Sequence, residues 1–200
     1  MNKLSKSKFI SDPQNLIAIG VTVISLCALV VSVIQTRVLK EEQELMREHY
    51  KISVWPRLEL ILEKGYDLNG NDEISHFALS ISNSGVGPAI ITDVKISYND
   101  SIANNWLHLF EIQEIPDSVE RYITNRGFNG QILKVGETQE ILNLDENRPL
   151  ANSFFERLNG LSLEIYYESI YGEKWKLDGN GNTVTKLEEF NGLPDEEQFR

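Results

Sequence analysis

The sequence predicts a mainly β protein, in which an N-terminal transmembrane helix and a helical stalk precede an antiparallel β-sandwich. Three observations support this prediction: an uncharged apolar run, a charged stretch with helical periodicity behind it, and period-two alternation from Trp55 onward. They divide the chain into a polar tail (1–14), a transmembrane helix (15–36), a stalk (37–53), a β-sandwich (54–190) and an acidic tail (191–200).

The anchor is predicted from an apolar run of 19 residues, LIAIGVTVISLCALVVSVI, at 16–34. At about 1.5 Å per residue the run spans roughly 28 Å, close to the thickness of a hydrocarbon core. Lys3, Lys6 and Lys8 precede it, so a cleaved signal peptide is the alternative. The run exceeds the usual ~7–15 apolar residues of a signal peptide, and no small-residue cleavage site follows. We therefore expect residues 15–36 to be retained in the lipid bilayer.

The charges outside the anchor bear on orientation and on partners. Arg37 and Lys40 are the cations closest to the run, and the positive-inside rule then favours a cytoplasmic C-terminal domain. Residues 52–200 hold 12 basic and 25 acidic side chains, a net charge of −13. Phosphate backbones repel such a domain, so we expect no nucleic-acid partner. The single cysteine, Cys27, lies in the apolar run and excludes an intramolecular disulfide.

The stalk and the anchor both show helical patterns. The stretch TRVLKEEQELMREHYKIS, at 36–53, has good helix formers and no Gly or Pro, and Trp55-Pro56 ends it. Small residues recur along one side of the anchor, where helices can approach closely. This face predicts self-association into a homo-oligomer, although a single span also tolerates such residues. Its members are Ala18, Thr22, Ser25, Ala28 and Ser32.

Short alternating segments fill the rest of the chain and are separated by turn sequences such as DLNGND (67–72) and GNGN (179–182). In the first two segments the alternation is expected to place Leu58, Leu60 and Leu62 on one face, and likewise Phe77, Leu79 and Ile81. Two insertions look helical, at 103–112 and 150–158, and the acidic tail is expected to fray. In AIITDVKISY the alternation places Ile90, Thr92, Val94, Ile96 and Tyr98 on one face, with Lys95 and Ser97 opposite.

Four stretches, WPRLEL, ISNSGVGPAIITDVKISY, LKVGETQEI and YESIYGEKW, resemble a loose group of mostly uncharacterised bacterial proteins. Members of this group have one N-terminal span followed by an immunoglobulin-like β domain, and some accompany anti-phage systems. The resemblance covers residues 54–98 and 131–177. It implies an immunoglobulin-like sandwich, a bacterial inner membrane crossed once, and a link to antiviral defence.

The glycine-rich stretch SNSGVGPAI, at 82–90, is interpreted as a bend between strands. A dinucleotide loop needs a third glycine and a following helix, and Pro88 removes a backbone donor. Asn83 and Gly85 suit a positive φ, and Gly87 suits the crowded position before proline. The sequence thus predicts no phosphate site here.

No catalytic, cofactor or metal site is predicted. The histidines His49, His76 and His108 lack ligand spacing, and no G-x-S-x-G elbow occurs. Carboxylates are too abundant for a pair to be singled out, and a solvated acidic surface accounts for them.

Aromatic residues of the hairpin YYESIYGEKW form a candidate partner surface made of Tyr167, Tyr171 and Trp175. A core tryptophan and a tyrosine that closes the sandwich are the alternative. We therefore expect a membrane-anchored, non-catalytic binding or assembly module that presents its β domain to a protein partner. A membrane effector is the alternative: its β domain would sense a small molecule or phage component and drive an oligomeric span to perturb the membrane.

Overall fold

A computed structural model describes residues 13–66, 74–116, 119 and 129–200. The predicted tail up to residue 12 and the predicted turn at 67–72 lie outside these residues. The chain divides into two compact units, with the boundary between Tyr50 and Lys51.

The first unit is formed by one long helix, α1, from Pro13 to Ser53. Its 41 residues correspond to about 60 Å of helix, and none of its side chains is buried. The helix runs without interruption through both ranges predicted as membrane helix and stalk. By length and composition it is able to cross a membrane, and a signal sequence meets the same criteria.

The second unit contains two antiparallel sheets, an arrangement compatible with the predicted β-sandwich. The smaller sheet has the order β1-β2-β6, and the larger has the order β4-β3-β7-β8-β9, with β5 also paired to β3. The strands are β1 (Leu58–Tyr66), β2 (Ile74–Asn83), β3 (Ala89–Tyr98), β4 (Ser101–Ala103), β5 (Ile132–Leu133), β6 (Thr138–Asn143), β7 (Leu161–Glu168), β8 (Lys174–Asp178) and β9 (Thr183–Leu187).

One hydrophobic core takes side chains from both sheets. Phe77, Leu79 and Ile81 are buried as the alternation predicts, whereas Leu62 is 37% exposed. Two short helices add to the core: α2 (Trp106–Ile112) and α3 (Arg148–Glu156). The first falls within the predicted insertion at 103–112, and the second begins two residues before the insertion predicted at 150–158; asparagines at positions 105 and 147 cap their first turns.

The predicted facing of β3 is wrong over its first half. The register with β7 shifts between Ile91 and Asp93, so Thr92 becomes the extra residue of a bulge. Ile91 is therefore buried, while Ile90 and Thr92 are only partly buried. Val94 and Ile96, beyond the bulge, face the core as predicted.

The prediction that residues 191–200 fray is also wrong. The Phe199 side chain is buried, and its ring packs edge-on against Trp106 at a centroid distance of 5.0 Å. The Phe199 N–H donates to the Val94 carbonyl at 2.8 Å, and Gln198 Nε2 donates to Asp93 Oδ1 at 3.0 Å. One aromatic anchor and these hydrogen bonds outweigh the polar composition of the segment.

Candidate functional site

The glycine-rich stretch is built around the fully buried side chain of Asn83. Its Oδ1 accepts hydrogen bonds from the backbone N–H groups of Gly85 and Arg57, at 3.0 and 3.3 Å. Its Nδ2 donates to the carbonyls of Gly87 and Leu133, at 2.9 and 3.0 Å. These four bonds use the two donors of the amide nitrogen and two acceptor positions of its oxygen. Asn83 therefore joins three separate pieces of backbone.

The second piece of backbone is the junction segment, residues 54–57, which leads from α1 into β1. The Ser84 N–H donates to the Arg57 carbonyl at 2.8 Å, and the Val86 N–H donates to the Trp55 carbonyl at 3.0 Å. The two backbones pass so closely that a Cβ on Gly87 would lie 1.8 Å from the Val54 oxygen. The stretch is thus a bend, as predicted, and it also holds the junction segment.

The reason for the glycines differs from the one predicted. Neither Asn83 nor Gly85 is among the described residues with a positive φ. A Cβ on Gly85 would lie 2.3 Å from the Arg57 nitrogen. Glycine is required here because two backbones come into contact, rather than because the chain is left-handed.

A turn at residues 134–137 completes this end of the β unit. The Asn83 N–H donates to the Glu137 carbonyl at 3.0 Å, and the Asn83 carbonyl accepts from the Gly136 N–H at 2.9 Å. The Lys134 N–H donates to Glu137 Oε2 at 2.8 Å, which closes the turn. The loops at this end, which we call the junction end, are therefore fixed by backbone hydrogen bonds.

Apolar side chains project into solvent from these fixed loops and from their neighbours. Ile132 pairs with Ile90, which also pairs with Glu168 just before the β7–β8 turn. We call this set the apolar rim, and its members are between 38% and 58% exposed. It consists of Trp55, Val86, Ile132, Val135, Ile170 and Tyr171.

The prediction that Tyr167 and Trp175 contribute to an exposed surface is wrong, because they are only 1% and 5% exposed. They are paired across β7 and β8, and their rings stack at a centroid distance of 5.9 Å. The Tyr167 hydroxyl accepts from the Leu58 N–H at 3.5 Å, and burial raises the pKa of Tyr167 to about 12. Both residues follow the inward alternation of their strands. Tyr171, in the turn between the strands, is exposed.

The predicted helix-association residues all lie on the exposed surface of α1. Thr22 Oγ1 donates to the Ala18 carbonyl, and Ser25 Oγ donates to the Val21 carbonyl, both at 2.8 Å. The hydroxyls of Thr22 and Ser25 are therefore satisfied within the helix itself. Self-association through this face stays a prediction.

The histidine of β2 forms an ion cluster at the opposite end of the unit. His76 Nδ1 lies 2.7 Å from Asp145 Oδ1, and His76 Nε2 lies 3.7 Å from Glu63 Oε2. The hydrogen bond to Asp145 raises the pKa of His76 above its ordinary 6.5, although burial lowers it in part. Among the described residues no group of three or more His, Cys, Asp or Glu is arranged to hold a metal ion.

A groove of about 870 Å³ lies beside Tyr171, between the β7–β8 turn and the residues after β9. The Lys174 ammonium donates to the Phe190 carbonyl at 2.6 Å, and Lys186 pairs with Glu173 at 2.7 Å. Its lining comprises Gly172, Glu173, Lys174, Lys186, Leu187, Glu188, Glu189, Phe190 and Asn191. The groove gives the rim a polar border.

Most of the rim was not foreseen from the sequence, although a signal exists. Val86 stands between two glycines, Val135 precedes Gly136, and Ile170 and Tyr171 precede Gly172. An apolar residue inside a turn has no strand partner to bury it, so it is more often exposed than one inside an alternating segment.

Comparison of the chain with protein-family models, with curated proteins and with solved structures gives no match.

Proposed function

We propose that this chain is a membrane-anchored, non-catalytic binding or assembly module that presents an immunoglobulin-like β domain to a protein partner. α1 is the anchor in this proposal, and the bacterial inner membrane is its location, with the β domain on the cytoplasmic side. The observation that carries the proposal is the apolar rim, six exposed apolar side chains on the loops and on strand β5 at one end of the β unit.

Two properties of the rim support an interface. Exposed apolar side chains grouped at one end of a domain are typical of interaction sites, and aromatic residues such as Trp55 and Tyr171 are enriched where proteins bind. The hydrogen bonds around Asn83 also hold the loops in place before a partner arrives. A preformed surface loses less conformational entropy on binding.

Site-specific photocrosslinking of the full chain in its native membrane tests the proposal. A photoreactive phenylalanine analogue would replace Val86 or Ile170 on the rim, and Leu107 on α2 as the control, since Leu107 is 51% exposed. We expect a discrete protein adduct from both rim positions and none from the control. Mass spectrometry of the adduct identifies the partner, including a second copy of this chain.

Equal crosslinking from all three positions, or no protein adduct from the rim, would contradict the proposal. A matched pair of substitutions, Ile170→Asp and Leu107→Asp, separates binding from folding. We expect only Ile170→Asp to abolish the adduct formed from position 86, while both variants keep the melting temperature of the parent chain.

A further inference from the structure

A cleft lined by leucines opens between the two sheets. Its walls come from β1, β2, β7, the helical turn at Leu158–Gly160 and the turn between β8 and β9, and its volume is about 520 Å³. This volume lies in the range of roughly 300–1,000 Å³ that small-molecule sites occupy. The lining residues are Leu60, Leu62, Leu79, Leu158, Leu161 and Leu163, together with Asn159, Gly179, Asn180 and Asn182.

The lining suits an unbranched aliphatic chain. Its apolar part consists of leucines alone, without the aromatic side chains that would stack on a flat ring. Leu79 and Leu163 are buried, whereas Leu62 is 37% exposed at the mouth. The cleft therefore leads from solvent to an apolar interior. Each methylene group of a flexible hydrocarbon that enters it is removed from water, which lowers the free energy of binding.

A peptide strand is a poorer occupant, although β1 is an edge strand of its sheet. The Leu60 N–H donates to Asn182 Oδ1 at 2.7 Å, and the Leu60 carbonyl accepts from Asn182 Nδ2 at 2.8 Å. Strand addition needs such edge groups unpaired. At the cleft they are already paired with a side chain of the same domain.

A polar cavity of about 520 Å³ adjoins the cleft on the outer side of β3 and β7. The two spaces share Asn159, Leu161 and Asn180. The other lining residues of the polar cavity are Lys95, Ser97, Asn99, Asp100, Gly160, Ser162 and Glu164. An amphiphilic molecule meets apolar walls in one space and hydrogen-bonding groups in the other.

The charges of the polar cavity favour an uncharged headgroup. Lys95 pairs with Glu197, and Lys176 pairs with Glu164 at 2.8 Å. Although burial opposes ionisation, hydrogen bonds from Lys176 and Tyr166 hold the pKa of Glu164 below its usual range. Because these ion pairs are closed, hydroxyl groups, amide groups and the Asp100 carboxylate remain to meet a ligand, and a carboxylate accepts hydrogen bonds from ligand hydroxyl groups. The acidic domain also repels anionic headgroups.

We propose that the leucine cleft binds the acyl chain of a single-chain amphiphile, whose uncharged, hydroxyl-bearing headgroup lies in the adjoining polar cavity. A monoacylglycerol has this chemistry. The site is separate from the apolar rim. A negative result for ligand binding here would therefore not affect the protein partner proposed above, and the reverse also holds.

Photolabelling of the full chain in phosphatidylcholine nanodiscs tests this site. The probe is lauroylglycerol with a diazirine near the end of its chain, and labelled peptides are mapped by mass spectrometry. We expect label on the peptides that contain Leu60 and Leu62 and on those that contain Leu158 to Leu163. Leu62→Trp fills the mouth and is expected to lower this label at least about tenfold, a change equivalent to roughly 1.4 kcal/mol.

The matched control is Leu107→Trp, which adds the same ring at an exposed position outside both the cleft and the apolar rim and is expected to leave the label unchanged. Leu158→Trp repeats the test from another wall if Leu62→Trp lowers the melting temperature. Equal cleft labelling in the filled variant, or label confined to α1, would overturn the proposal. Equal labelling of the cleft by a diazirine phosphatidylcholine would overturn the choice of a single-chain, uncharged ligand.

Discussion

The two ends of the β unit differ in how closely their backbones approach. At the junction end the backbones of Gly87 and Val54 are in direct contact, and the buried Asn83 side chain bonds to three pieces of chain. At the other end, which we call the open end, backbone bonds such as that from the Gly179 N–H to the Leu163 carbonyl are joined by side-chain bonds of Asn182, and leucines line a cleft. The junction end has no such cleft among the residues that the structure describes around Asn83, so its loops are held more tightly. One end of the unit is therefore suited to holding loops still, and the other to admitting a ligand.

Gly87→Ala is expected to give the largest effect, because it places a methyl group 1.8 Å from the Val54 oxygen. Neither backbone can withdraw without breaking the hydrogen bonds around it. We expect a loss of about 4 kcal/mol in the free energy of unfolding, within the range of severe single mutations. Urea denaturation followed by tryptophan fluorescence measures it.

The control for Gly87 is Gly172→Ala, where the added Cβ meets nothing within 4 Å and only the positive φ of 77° is unfavourable. That conformation costs roughly 1–2 kcal/mol. If the two variants lost the same stability, the close contact at the junction would not be the reason for Gly87.

Asn83→Ala is expected to give the next largest effect, a loss of roughly 3 kcal/mol. It leaves two N–H groups and two carbonyls at a buried site without the partners that Asn83 supplies. Asn182→Ala makes the same chemical change at the open end, where the freed Leu60 groups can bond to water. We expect less than about 1 kcal/mol there. Equal losses in the two unfolding curves would remove the contrast between the ends.

His76 is expected to give the smallest effect, seen as a dependence on pH. Because the folded state raises the pKa of His76, protonation stabilises the fold. This contribution is complete below the ordinary pKa of 6.5, and it is lost as pH rises through the folded-state pKa. The urea midpoint of the parent chain should therefore exceed that of His76→Gln at acid pH, and the gap should narrow in alkali. A gap that widened with pH would contradict the assigned pairing.

The sequence predicts local features of this fold well. The change from helical to period-two patterning predicted where α1 gives way to strands, because burial on one face of an element follows its own periodicity. The two helical insertions were likewise predicted from local sequence, the second from a stop at Gly160. The turn at Tyr171-Gly172 correctly placed the hairpin between β7 and β8, whereas β9 was not predicted.

Features that depend on distant residues were not predictable. The glycines of SNSGVGPAI were correctly interpreted as a bend, but the junction segment that they hold lies about 30 residues earlier. In the pair Tyr166 and Tyr167, alternation alone does not tell which ring turns inward. The burial of Phe199 depends on a space beside Trp106 that several elements create together. The leucine cleft depends on how two sheets separate, which no single segment encodes.

The hydrogen bonds of Asn83 also determine where this β domain can be cut from its helix and transplanted. A version that began at Leu58, the first residue of β1, would lose the Arg57 N–H that Asn83 accepts and the Trp55 carbonyl that Val86 requires. Residues 54–57 lie outside every strand, yet their backbone hydrogen bonds make them a structural part of the domain. A portable form of the domain begins at Val54 or earlier, and a fusion of the domain to another helix must include those four residues.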